Sequence, residues 1–317
     1  MRSKIYAELP GLNDDLDQVL GVINKKLESS EEKFSKIVCA RFNGNSKLIR
    51  SALVLIGASY KSSVKEKALN LAAAIEMLHV ASLIHDDIID EARLRRNLPT
   101  INYEYDDGYA VICGDYLFSK SFQLIFETQD LKSISLMGSN VTTMVFGEVE
   151  QYLDKYNEKI SIERYLAIIE KKTASFFATS LVLGARLAQV NEKESQLLEN
   201  FGKSLGMLFQ IQDDLLDFAS VDQIGKSSQS DLKRGTYSLP VIIALNKDKQ
   251  LIEILQQQEI NFTEVLTIIN KTKALEDTKE YIQQYYQDCL TILAALTNKT
   301  VSNHLKILME KVLKRNY

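Results

Sequence analysis

Between Val64 and Leu98 the chain has neither glycine nor proline, and from Leu69 to Ile84 its only polar side chains are Asn70, Glu76, His79 and Ser82. A helix that is apolar on nearly every face has to be enclosed by other elements. This stretch therefore predicts a buried central helix and a domain large enough to surround it. The rest of the chain agrees: 13 Gly and 3 Pro in 317 residues make about 5% together, against roughly 12% in ordinary chains. Apolar residues recur at three- and four-residue intervals, as in Leu16, Val19, Leu20, Ile23 and Leu27, and again in Leu305, Ile307, Leu308 and Val312, which is the signature of amphipathic helices. A second apolar stretch runs from Leu197 to Phe218, with Gly202 and Gly206 spaced to admit a neighbouring helix. Pro10, Pro99 and Pro240 stand singly and no Pro/Gly/Ser-rich linker occurs. The expectation is an all-α fold forming one helical domain over residues 1–317. Breaks are expected at 43–46, 97–99, 106–108 and 222–236.

Charge and cysteine usage exclude several function classes. Lys and Arg number 38 and Asp and Glu 42, a formal net charge of −4, whereas general nucleic-acid binders carry a basic surplus. Cys39, Cys113 and Cys289 are isolated, so neither a disulfide framework nor a CxxC metal knuckle is available. Residues 1–8 lack the apolar core of a signal peptide, and no 18-residue apolar run is present. A cytoplasmic protein without a transmembrane segment is expected.

One short pattern occurs twice. Asp86-Asp87-Ile88-Ile89-Asp90 and Asp213-Asp214-Leu215-Leu216-Asp217 both read Asp-Asp-x-x-Asp, each closing an apolar helical stretch. On a helix, residues four apart share a face, so Asp86 pairs with Asp90 and Asp213 with Asp217, and like charges at that spacing repel. Carboxylates grouped beside an apolar surface need a counter-charge. Mg²⁺ supplies one, since it takes one or two carboxylates together with waters and substrate phosphates. The alternating ligands and glycine of an EF-hand are missing, as is a GxxxxGK[ST] phosphate loop. Cations suited to phosphate do lie nearby in sequence: Lys47 and Arg50, Arg95 and Arg96, Lys171 and Lys172, and Lys226. His79 precedes Asp86 by about two helical turns and shares its face.

These segments resemble the trans-polyprenyl diphosphate synthase family. The likeness runs from about residue 43 to 245, through Ala72 to Asp90, Arg95 to Thr100, Cys113 to Leu117, Lys172-Thr173-Ala174, Phe209 to Asp217, Gly225-Lys226, Asp231 to Gly235 and Leu239-Pro240. It implies an all-helical bundle with a central apolar pocket. The implied activity extends an allylic diphosphate, such as farnesyl diphosphate, with successive isopentenyl diphosphates, using two or three Mg²⁺ per active site. In that reading Asp86, Asp90, Asp213 and Asp217 hold metal, with Asp87 and Asp214 in the same set. Arg95, Lys172 and Lys226 hold the allylic diphosphate, and Lys47, Arg50, His79 and Arg96 hold isopentenyl diphosphate. Thr173 and Gln210 face the developing cation with dipoles, and the departing diphosphate serves as base.

In this family a bulky aromatic four or five residues before the first motif stops growth early; here those places are Ser82 and Ala81. With Leu78 and Ile75 below them and Met144, Val145, Phe146 and Met137 as candidates for the pocket base, a long product of about C35–C45 is expected. Octaprenyl is favoured, for a quinone side chain. The family's Gly-Gly-Lys-Arg-Leu-Arg-Pro loop reads Asn45-Ser46-Lys47-Leu48-Ile49-Arg50-Ser51 here, and Thr236 replaces a lysine. Those departures keep two alternatives in view, a non-catalytic or regulatory subunit of a heteromeric synthase and a C15–C20 synthase. A homodimer is expected, with Ile112 to Ile125 as a candidate interface.

Overall fold

The computed structural model describes residues 5–9, 11–42, 46–95, 98–218 and 231–313. Its secondary structure is helical apart from one two-residue pair of strands. In chain order the elements are α1 (Leu12–Leu27), α2 (Glu32–Cys39), α3 (Ile49–Ala58), α4 (Lys65–Ile89), β1 (Leu94–Arg95), β2 (Leu98–Pro99), α5 (Ile101–Glu104), α6 (Asp107–Glu127) and α7 (Leu131–Leu153). They continue as α8 (Ile162–Ile169), a π-helical segment (Glu170–Ala174), α9 (Ser175–Leu187), α10 (Glu192–Leu216), α11 (Leu239–Lys247), α12 (Gln250–Leu255), α13 (Phe262–Lys271), α14 (Ala274–Ala295) and α15 (Lys299–Leu313). Contacts divide the chain into two compact units. The first holds residues up to Gly138, Thr179–Glu199 and everything from Leu296 onward; the second holds Ser139–Ala178 and Asn200–Ala295.

In the first unit α4 is the buried central helix that the sequence predicts. Every residue from Leu71 to Leu78 is buried, and α4 packs against α1, α3 and α6. Burying an aliphatic side chain of this size contributes about 1.5–3 kcal/mol, so the row Leu71, Ile75, Met77 and Leu78 is a main source of cohesion here. The segment Ser62–Ile89 is long and apolar enough to cross a membrane, but 72% of its apolar window is buried inside the protein. Close approach of α4 and α6 depends on Gly114, because a Cβ there would lie 2.1 Å from Nε2 of His85. Asp106 starts α6 by accepting from the Tyr109 amide at 2.8 Å, as expected for an Asp N-cap.

In the second unit Gly202 and Gly206 act as their spacing predicts. A Cβ on Gly202 would lie 2.5 Å from Cα of Ala178, and one on Gly206 would lie 2.4 Å from Cα of Ala174. Backbone therefore meets backbone along this face of α10. Around it Ile168, Ile211, Leu239, Ile242 and Val265 form part of a continuous apolar cluster.

Candidate active site

Each aspartate motif straddles the C-terminal end of its helix. Asp90 is the C-cap of α4, its amide donating to the Asp86 carbonyl at 2.8 Å, and the Asp217 amide donates to the Asp213 carbonyl at 3.1 Å just past α10. Neither last turn contains a basic residue. The C-terminus is the negative pole of a helix, so each carboxylate there is unfavourable by about 0.3–1 kcal/mol. Such a placement favours a cation nearby. Among the described residues no three His, Cys, Asp or Glu side chains gather closely enough to hold a metal alone.

The middle aspartate of each motif is held by protein donors. Asp87 is buried and accepts from Arg95 Nε at 2.6 Å. Burial pushes its carboxyl up, and the Arg95 guanidinium pulls it partly back. Asp214 is buried too, accepting from the Tyr165 hydroxyl at 2.6 Å, the Leu239 amide at 2.9 Å and Gln210 Nε2 at 3.1 Å. Desolvation pushes this carboxyl up to about 6 against the pull of those three donors. Protein donors thus reach the carboxylates of Asp87 and Asp214. Helical periodicity turns the second aspartate about 100° from the first, toward the protein interior, where protein donors occupy it.

In the first unit the departed loop has its own anchors. Ser46 Oγ and Ser51 Oγ donate to the buried Glu76 at 3.0 and 3.3 Å, and the Tyr6 hydroxyl donates to the Lys47 carbonyl at 2.7 Å. Leu48 is buried and adopts φ 50° and ψ 36°, a left-handed conformation costing about 1–2 kcal/mol for a residue with a side chain. Residues 46–51 are thus anchored with a serine in place of one of the family's glycines. Arg50 lies 3.1 Å from Nε2 of His79, so two of the residues expected to hold isopentenyl diphosphate meet.

In the second unit the π-helical segment carries Lys171, Lys172 and Thr173; such bulges often mark functional sites. Lys172 pairs with Glu148 and reaches Gln151 Oε1 at 3.2 Å, and Lys171 pairs with Glu150 at 2.5 Å. Thr173 Oγ1 donates to Gln210 Oε1 at 3.1 Å, bringing the two expected dipoles into contact. Arg96 and Lys226 lie outside the described residues.

Of the expected chain-length residues, Ala81, Leu78 and Met137 are buried, while Ser82 and Met144 are half-buried. Val145 and Phe146 are 55% and 59% exposed. Glu76, Tyr6 and Tyr165 were not legible as supports of the site, because each acts through a contact distant in sequence.

A sequence profile described as Polyprenyl synthetase matches residues 31–272. The chain belongs to the polyprenyl synthetase family. This member is 32% identical to a prenyl transferase of Cyanophora paradoxa, over 98% of each chain. It is also 32% identical to heptaprenyl diphosphate synthase component 2 of Geobacillus stearothermophilus, over 99% of this chain and 100% of that one. Among solved structures, geranylgeranyl pyrophosphate synthase from Lactobacillus brevis superposes with a TM-score of 0.93 at 26% identity, covering 98% of this chain and 99% of that one. The polyprenyl synthetase is thus a prenyltransferase with the all-α isoprenoid synthase fold.

Proposed function

We propose that this enzyme is a long-chain all-trans polyprenyl diphosphate synthase, making products of about C35–C45 with octaprenyl favoured, for a quinone side chain. The observation that carries the reading is the pair of intact Asp-Asp-x-x-Asp motifs, each at the negative end of a helix. Asp86, Asp90, Asp213 and Asp217 are the proposed Mg²⁺ ligands. When bound, the ions supply Lewis-acid neutralisation of the leaving diphosphate.

The chain's own residues do the rest. Lys172, Arg95 and Lys226 bind the allylic diphosphate and favour its departure as the C–O bond breaks. Lys47, Arg50, His79 and Arg96 orient isopentenyl diphosphate so that its double bond forms the new C–C bond. Thr173 and Gln210 stabilise the allylic cation without quenching it, since they offer dipoles and no nucleophilic charge. The departing diphosphate takes the proton that restores the double bond.

Small residues at Ala81 and Ser82 support a long product, as does a relative described as a heptaprenyl synthase component. Incubation with farnesyl diphosphate, labelled isopentenyl diphosphate and Mg²⁺ gives C35–C45 chains if the reading is right. Ala81→Phe shortens the product to C15–C20 in the same thin-layer assay. An unchanged distribution from a folded variant overturns the pocket assignment.

Exposed apolar side chains support pairing with a second copy of the chain: Val111, Ile112 and Phe126 on α6, and Val145, Phe146, Val149, Tyr152 and Leu153 on α7. The "component 2" in the relative's description and the altered loop at 45–51 favour a second reading, in which activity requires a different partner chain. Activity of the purified chain alone decides between them.

Glu76→Ala releases the Ser46 hydroxyl that anchors the loop bearing Lys47 and Arg50, while the Ser51 hydroxyl keeps the Ala72 carbonyl at 3.0 Å. Hydrogen bonds to a charged group contribute about 1.5–3 kcal/mol. The expected outcome is a rise in KM for isopentenyl diphosphate of about tenfold or more, with a smaller change in KM for the allylic substrate, measured by steady-state kinetics.

A further inference from the structure

Asp214 has a defined partner on each oxygen, and the pattern of donors fixes more than its own position. Oδ2 accepts twice, from the Tyr165 hydroxyl at 2.6 Å and the Leu239 amide at 2.9 Å. Oδ1 accepts from Gln210 Nε2 at 3.1 Å, and Gln210 Oε1 accepts from Thr173 Oγ1 at 3.1 Å. An ionised carboxylate only accepts hydrogen bonds, so the Gln210 amide must lie with its nitrogen toward Asp214 and its oxygen toward Thr173. A carboxamide oxygen also only accepts. The single hydroxyl proton of Thr173 is therefore committed to Gln210, and both lone pairs of Oγ1 are left on the opposite side.

We propose that Tyr165, Asp214 and Gln210 form a polarity-setting relay that keeps the negative end of the Thr173 hydroxyl toward the allylic cation. Tyr165 and Asp214 are positioning residues in this scheme, since they act through Gln210 and Thr173. The relay rests on the synthase reading above. Its parts come from separate stretches of the second unit: Tyr165 from α8, Thr173 from the π-helical segment, Gln210 and Asp214 from α10, and the Leu239 amide from the start of α11. Gln210 and Asp214 are one helical turn apart, which is the spacing that lets the amide reach the carboxylate.

The donor pattern yields a swap experiment. In Asp214→Asn the new carbonyl oxygen takes the place of Oδ2 and keeps both its donors, so the new NH₂ points at Gln210. Gln210 must then turn over and donate to Thr173, whose proton turns toward the substrate side. In Gln210→Glu two carboxylates face each other across the contact. The double variant Asp214→Asn/Gln210→Glu restores the order at unchanged net charge. The amide nitrogen introduced at position 214 donates to one oxygen of the carboxylate introduced at position 210, and the other oxygen of that carboxylate accepts from Thr173.

Losing one dipole aimed at a transition-state charge typically costs 10²-fold or more in kcat. At saturating Mg²⁺ each single variant is expected to lose about 100-fold in kcat with little change in KM for isopentenyl diphosphate. The double variant is expected to return to within about tenfold of wild type. Tyr165→Phe keeps the remaining donors on Asp214 and is expected to lose about tenfold in kcat. Melting temperatures of all four variants report whether they are folded.

The relay is overturned if folded Asp214→Asn keeps wild-type kcat, or if the double variant is no more active than the weaker single variant. Should Asp214→Asn fail to fold, unchanged kcat in Tyr165→Phe overturns it. Wild-type protein that makes no polyprenyl product, alone or with a partner chain, overturns the synthase reading and the relay's role with it.

Discussion

Asp213→Ala is expected to abolish synthesis, lowering kcat by at least about 10³-fold, while the protein stays folded. The proposed role of this carboxylate is to hold an ion against the leaving diphosphate, an interaction contributing several kcal/mol to the transition state. Each 1.36 kcal/mol is tenfold in rate. Stability responds differently, because Asp213 sits in the last turn of α10, where the helix dipole disfavours a negative charge by about 0.3–1 kcal/mol. A change of melting temperature of no more than a few degrees is expected without metal. Wild-type protein with Mg²⁺ and inorganic diphosphate should melt higher, by the roughly 2.7 kcal/mol that a ligand supplies at 100 times its Kd. The variant should lose that increment. Asp86→Ala tests the other motif in the same way. Retention of both kcat and the metal-dependent rise in either variant removes that aspartate from the ligand set.

Gly206→Ala is expected to destabilise the protein, although helix propensity alone predicts the opposite. In an ordinary helix interior the replacement gains about 0.5–1 kcal/mol. Here the added methyl would lie 2.4 Å from Cα and 3.0 Å from Cβ of Ala174, so backbone has to move by more than an ångström. Overpacking of this kind costs about 1–3 kcal/mol and sometimes more, which outweighs the gain. Ala174 directly follows Lys172 and Thr173 in the π-helical segment. The displacement therefore reaches the proposed cation-facing hydroxyl, and kcat should fall by about 10²-fold, as misplacement of a catalytic group by an ångström does. Thermal melting and steady-state kinetics check both effects. A melting temperature at or above wild type would show that the interhelical contact yields without cost.

The two predictions differ in what could be read before the structure was known. Helical class, the buried α4 and the role of Gly202 and Gly206 follow from local pattern. A run of apolar residues on every face has one physical outcome, and paired glycines one turn apart leave one face of a helix flat. The aspartate motifs were legible for a similar reason, since charge placed beside apolar surface stands out in sequence. Which protein donors would reach Asp87 and Asp214 was not legible there. Three acidic residues look equivalent in a string of letters, whereas a helix turns the middle one inward to Arg95 in one motif and to Tyr165 in the other.

The loop at 46–51 is the clearest case of compensation at a distance. Loss of the family's glycines and proline reads as a weakened turn. In the folded chain, serines at 46 and 51 take hold of Glu76 on α4, Tyr6 reaches the Lys47 carbonyl, and Leu48 accepts a left-handed backbone conformation. By itself the amino-acid sequence determined the helical class, the central buried helix and the two carboxylate clusters, because these depend on composition and on spacing within a single helix. Only the tertiary structure decided which aspartates face inward, what anchors the altered loop and which way round Gln210 lies. Those outcomes depend on hydrogen-bond donors supplied from other helices, and no local pattern records where such a donor will arrive.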